Sequence, residues 1–169
     1  MYDFKFDTAD KPTLYRELAE AADALTAGEP DGIANMANVA ALLWESLPEL
    51  NWAGFYRAID GELVLGPFQG RPACIRIPFG KGVCGAAAAS REAQCVADVH
   101  AFPGHIACDA ASRSELVVPI LSGGALIGVL DLDSPVPGRF DAEDVAGCVN
   151  LVQRLSGRLG AMVNAQAEA

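Results

Sequence analysis

The sequence predicts an α+β domain in which a central antiparallel sheet is flanked by N- and C-terminal helices. Three observations carry that expectation. Apolar residues recur at helical spacing before residue 48 and after residue 141, and between them the period changes to short runs bounded by glycine and proline. A Ser-Gly-Gly link joins two of those runs, a hairpin signal that makes them antiparallel neighbours. With 169 residues, 51% of them apolar, the chain can bury one sizeable core and is short for two, so residues 1–169 are read as a single domain.

Each element follows from local chemistry. Leu14, Leu18, Ala21 and Leu25 form a helical stripe behind Pro12, which suits a helix start, so residues 13–25 are expected to be an amphipathic helix. Gly28, Pro30 and Gly32 end it. A second helix presents Ile33, Ala37, Ala40, Leu43, Trp44 and Leu47 inward and stops at Pro48. Strands are expected at 52–58, 62–67, 73–77 and 93–97. Gly80 to Ser90, GKGVCGAAAAS, begins with glycines and becomes alanine-rich, as a loop turning into a short helix does. Leu116–Leu121 and Ala125–Leu132 flank the Ser-Gly-Gly link as a hairpin. Asp141 and Asp144 then open a last helix whose apolar stripe is Val145, Cys148, Val152, Leu155, Leu159 and Met162.

Composition excludes whole classes of function. The longest apolar stretches fall well short of the roughly 18 residues of a membrane helix, which predicts no membrane association. The start, MYDFKFDTADK, lacks the basic-then-apolar order of a signal peptide, so a cytoplasmic location is expected. Twenty-two acidic against twelve basic residues give a formal charge of −10, which repels phosphate backbones and argues against nucleic acid as a partner. Five cysteines, at 74, 84, 95, 108 and 148, are an odd set with no CxxC and no metal-finger spacing. They are buried thiols, reactive thiols, or both; no bound metal or cofactor is expected.

The segment 98–114, DVHAFPGHIACDAASRS, is long for a connection inside a domain, and connections of that length usually carry function. It is read as an active-site loop. Cys108 sits on it with His100, His105 and Arg113 nearby, an environment able to stabilise a thiolate, although a free cysteine is as often a small buried hydrophobe. Cys84 opens the short helix, where first-turn amides favour a thiolate, and Cys74 lies in the strand-like ACIRIP; taken singly, each is better accounted for by core packing. Cys148 belongs to the stripe of the last helix, and Cys95 lies in a strand. Asp131 and Asp133 stand two apart on a strand and therefore on one face, with Glu115 entering across the hairpin. Carboxylates so grouped repel unless a cation or a shared proton intervenes; an ammonium group would serve, and crowding would raise one carboxyl enough to act as an acid. Trp52 and Tyr56, four apart in NWAGFYR, share a face and offer apolar walls with one donor each.

Taken together, NWAGFYR at 51, GPFQGRPACIRIPFGKGVCG at 66–85, DVHAFPGHIACDAASRSELVVPI at 98–120 and GVLDLDSP at 128 closely resemble the free methionine-R-sulfoxide reductases, which are single GAF-domain enzymes. The resemblance covers nearly the whole chain. It implies that Cys108, in PGHIACD, becomes a sulfenic acid; that Cys74 is the resolving partner, with Cys84 as alternative or second resolver; and that Glu115, Asp131 and Asp133 line the substrate site against the aromatic wall of Trp52 and Tyr56. It further implies reduction of free L-methionine-R-sulfoxide to methionine, with the resulting disulfide recycled by thioredoxin. Dimers are common among GAF domains, and the N-terminal helices offer a surface for a homodimer. Two other readings stand beside this one: a non-catalytic GAF module that binds a small ligand, and a thiol redox switch.

Overall fold

Six strands are hydrogen-bonded in the order β3-β2-β1-β6-β5-β4, every pair antiparallel. A computed structural model supplies these coordinates and describes residues 4–6, 10–104 and 110–160. The chain runs α1 (Lys11–Leu25), α2 (Gly32–Ser46), β1 (Trp52–Ile59), β2 (Glu62–Gly70), β3 (Arg76–Pro78), α3 (Gly82–Ser90), β4 (Gln94–Val96), β5 (Ser114–Ser122), β6 (Ala125–Ser134) and α4 (Ala142–Leu159). The expected α+β architecture is the one observed, and each boundary has a local cause. Asp10 and Asp31 cap α1 and α2 by accepting from amides of the first turn. Asp141 caps α4 within a reciprocal capping box completed by Asp144.

Three differences from the sequence expectation have physical reasons. The third strand covers only Arg76–Pro78, because the Cys74 carbonyl is taken by Tyr56 Oη instead of a ladder partner. In α2 the inward stripe is Met36, Val39, Ala40 and Leu43, one position away from the expected face, so Ala37 and Trp44 are exposed. That rotation sends the long Met36 side chain into the core. The hairpin loop is the two residues Gly123 and Gly124, both at positive φ, with Ser122 still in β5. This is the backbone a tight hairpin demands and glycine adopts without strain.

The sheet divides the apolar residues into two layers. Phe55, Leu116, Val118, Ile120, Leu130 and Leu132 face α1, α2 and α4. Trp52, Tyr56, Val117 and Val129 face the other way, toward Val83, Ala87 and Ala88 of α3. The first layer is held at one end by Asp144, fully buried at the start of α4. Its carboxylate accepts from Tyr15 Oη at 2.8 Å, Lys11 Nζ at 2.6 Å, Arg139 Nη1 at 3.2 Å and the Asp141 amide at 2.8 Å. A buried carboxylate supplied with this many donors ties α1 to α4.

Tyr15 reaches Asp144 by passing over Gly147, where a Cβ would stand 2.1 Å from the tyrosine ring. Gly147→Ala is expected to destabilise the protein by about 1–3 kcal/mol through overpacking, despite alanine's better helix propensity. Urea unfolding, with the slope unchanged and the midpoint lowered, is the check.

Candidate active site

The hairpin register assembles the acidic cluster. Glu115 pairs with Asp133 and Val117 with Asp131, so the three carboxylates share one face of the sheet. On the adjoining strand Trp52 pairs with Asp133, and Tyr56 with Val129 on the same face. Alternation within each strand, in this register, therefore places these five residues on one face. They line a cleft of about 520 Å³, open mouth included, with Arg71, Lys81, Cys84 and Ser112 also on its walls.

The aromatic wall is rigid. The rings of Trp52 and Tyr56 stack with centroids 5.8 Å apart, and Phe68 stacks on Trp52 from the outer side at 5.1 Å. Both polar handles are already engaged: Trp52 Nε1 donates to the Arg71 carbonyl at 3.1 Å, and Tyr56 Oη donates to the Cys74 carbonyl at 3.0 Å. The expected pair of free donors is thus corrected. The two residues use those groups to hold the 71–74 segment against the sheet, and they offer ring faces to the cleft.

Cys84 is the third residue of α3 and almost fully buried, with Sγ 3.8 Å from Glu115 Oε1. The helix N-terminus was expected to favour its thiolate, and the surroundings reverse that. Burial first, then the facing Asp131 and Glu115 carboxylates, raise the thiol well above its usual range. The same burial, followed by the charges of Asp131 and Asp133, raises Glu115 well above an ordinary glutamate. Burial lifts Asp131 to about 7, a hydrogen bond with Cys84 partly offsetting it. The cluster is therefore proton-rich near neutrality.

The other cysteines differ in kind. Cys148 is fully buried on the inner stripe of α4 and pushed up to about 12 by burial. Cys95 is an exposed free thiol on β4, and Cys84 and Cys148 are also free, whereas Cys74 is disulfide-bonded. Cys108 and His105 lie outside the described residues. At the base of the same loop Arg113 pairs with Asp98 at 3.5 Å, and the Asp98 carboxylate accepts from the His100 amide. The loop thus leaves the sheet from a fixed anchor.

Two cationic cleft residues were not singled out from sequence. Arg71 and Lys81 lie in motifs noticed only for their cysteines, RPACIRIP and GKGVCG, and nothing in the spacing of a lone cation marks a binding role. Lys81 is also the N-cap of α3 and makes no side-chain capping bond, so the first-turn amides are left without a side-chain acceptor.

The raised carboxyls have a cost that depends on pH. An acid whose folded pKa is raised stabilises the fold below its unfolded value and loses that contribution as pH rises through the folded one. For Asp131 the loss falls between about pH 4 and 7. Asp131→Asn is expected to gain stability over the parent by an increasing margin across that window, on the order of a few kcal/mol by pH 8. Denaturant unfolding of both proteins at pH 5 and 8 measures it; a margin that does not grow would show that Asp131 is not charged at the cost of the fold.

Comparison with known proteins agrees with this geometry. The GAF domain family model matches residues 31–162. The chain is 53% identical to a free methionine-R-sulfoxide reductase of Escherichia coli over 146 residues, 86% of this chain and 88% of that one. It is 44% identical to a reductase of the same name from Saccharomyces cerevisiae, over 80% of this chain and 79% of the yeast protein. Among solved structures, the free methionine-R-sulfoxide reductase of Neisseria meningitidis in complex with its substrate superposes with a TM-score of 0.91. It is 46% identical and covers 98% of this chain and 99% of its own. The carboxylate-lined face of the sheet and these matches lead to one conclusion: the chain belongs to the GAF domain family, among the free methionine-R-sulfoxide reductases.

Proposed function

We propose that this protein reduces free L-methionine-R-sulfoxide to L-methionine, with Cys108 as nucleophile. The observation that carries this reading is the convergence of Glu115, Asp131 and Asp133 on one face of the sheet beside an aromatic stack, in a chain whose relatives are named for this substrate. Free methionine sulfoxide has an ammonium, a carboxylate and a short polar side chain. The ammonium is held by Asp131 and Asp133, for which a cation relieves the crowding of like charges. The carboxylate is met by the uncapped amides at the start of α3 with Arg71 and Lys81 beside them. A peptide-bound methionine sulfoxide has neither terminus free and is excluded on both counts.

The chemistry needs a nucleophile and a proton. Glu115, held protonated by its surroundings, donates to the sulfoxide oxygen, and the Cys108 thiolate attacks the sulfur. The hydroxyl then migrates from the substrate sulfur to Cys108 Sγ as the S–O bond and the newly formed S–S bond both break, so that methionine leaves and Cys108 is a sulfenic acid. A second thiol displaces that hydroxyl as water and forms a disulfide. Cys74 is assigned as this resolver over Cys84: it takes part in a disulfide while Cys84 carries a free thiol whose deprotonation its neighbours oppose. An external dithiol, thioredoxin, restores the reduced enzyme by exchange. The reaction is cytoplasmic, it needs no bound cofactor, and the N-terminal helices are the face for a homodimer.

The test is thioredoxin-coupled NADPH oxidation with the free R epimer, the free S epimer and a peptide-bound form as separate substrates. Turnover of the free R form alone, reduced to background in Cys108→Ser, is expected; full activity in that variant would remove Cys108 from the mechanism. Glu115→Gln is expected to lower kcat by about 10²–10⁴-fold. In the parent, kcat should fall as pH rises through the raised pKa of Glu115, because the donor form is lost; a pH-independent kcat would exclude Glu115 as the acid.

A further inference from the structure

The cleft wall contains a donor set that the reduction leaves undescribed. One sulfur and two carboxylates, from Cys84, Glu115 and Asp131, lie within 4.8 Å of one another, and all three residues are buried. A tetrahedral zinc ion, with bonds of about 2.3 Å to sulfur and 2.0–2.2 Å to oxygen, keeps sulfur and oxygen about 3.6 Å apart. Cys84 Sγ and Glu115 Oε1 are 3.8 Å apart. That pair needs a closure of only a few tenths of an ångström, and the other separations, all within 4.8 Å, need one of at most about 1 Å, which side-chain torsion supplies.

A second, independent observation points to a ligand. Asp131 Oδ1 is buried with no hydrogen-bond partner, on a residue 5% exposed. An orphaned acceptor of this kind carries a desolvation cost that an incoming cation removes. The three donors come from α3, β5 and β6, which are regular elements packed on one another, so the set is held in place without a bound ion.

We propose that Cys84, Glu115 and Asp131 form a three-ligand binding site for a thiophilic divalent cation of the zinc class, its fourth position open to the cleft. A thiolate among oxygen donors selects such an ion over magnesium or calcium, which prefer oxygen alone. On binding, the Cys84 thiol and the Glu115 carboxyl release their protons to solvent, and the ion replaces those protons as the counter-charge of the wall. The ion and a substrate ammonium both claim Asp131, so the ion excludes substrate. That consequence rests on the reading of the preceding section; the binding itself does not.

Cobalt(II) serves as the probe because it takes the same geometry and reports thiolate ligation by a charge-transfer band. Titrated into the fully reduced protein, it is expected to saturate at one equivalent and to be displaced by zinc. The band should be absent in Cys84→Ala, retained in Cys95→Ser, and weakened about tenfold or more in affinity in the isosteric Asp131→Asn. No band at one equivalent, or a band that survives in Cys84→Ala, overturns the assignment. So does unchanged affinity in Asp131→Asn, which decides the matter if Cys84→Ala does not fold. Because the readout is absorbance without turnover, a protein that binds cobalt but reduces no sulfoxide would keep this site and lose the enzymatic reading, and the reverse result would do the opposite.

Discussion

The register of the β5–β6 hairpin is the constraint on which the rest of the molecule depends. Counted from the Gly123-Gly124 turn alone, Glu115 would stand opposite Leu132, and an acid would share a face with the leucines. The pairing shifts by one residue between Ile120 and Leu121, and beyond the shift Glu115 meets Asp133 while Leu116 meets Leu132. A slip of one position exchanges the two faces of a strand. The irregularity therefore aligns two acidic positions of β6 with one of β5 and keeps Leu116, Val118, Leu130 and Leu132 in the core. Turn and bulge act as a pair, the first closing the hairpin tightly and the second correcting its phase.

The two faces of the sheet then carry opposite burdens. One is covered by α1, α2 and α4 and is almost wholly apolar, and its deeply buried Asp144 is supplied with donors from four residues. The other buries Glu115 and Asp131 beside a thiol, with an unpartnered oxygen among them. Buried polar groups without partners weaken a fold, and a compact domain tolerates them where a ligand completes the set. The well-satisfied face supplies the stability that the under-satisfied face spends, the arrangement expected of a binding site built on a rigid scaffold.

This division also sorts the cysteines. Cys148 is enclosed by the core layer, Cys84 is held as a neutral thiol by carboxylates, Cys95 is exposed at the edge strand, and Cys74 lies in the segment that Tyr56 and Trp52 pin to the sheet. Four identical side chains thus have four chemical characters, set by neighbours that lie far away in the chain. Cys84 shows the point most directly. Its position in the first turn of a helix favours a thiolate, and the acids across the cleft outweigh that local effect because they act through a desolvated path.

What the sequence determined by itself is whatever depends on short-range periodicity. The first, second and last helices begin at capping aspartates, the strands alternate, and Asp131 and Asp133 share a face because two residues span one pleat. Glu115 joined them by inference from the hairpin, and the wall of Trp52 and Tyr56 by their spacing of four. Tertiary structure alone decided the rest. It rotated the buried face of α2 to take in Met36, spent the donors of Trp52 and Tyr56 on the 71–74 carbonyls, and suppressed the Cys84 thiolate. It also brought Arg71 and Lys81 to the cleft. Each of these outcomes is a contact or a field between residues distant in sequence, and the strength of such a term depends on separation and burial in space, quantities that no local pattern of residues encodes.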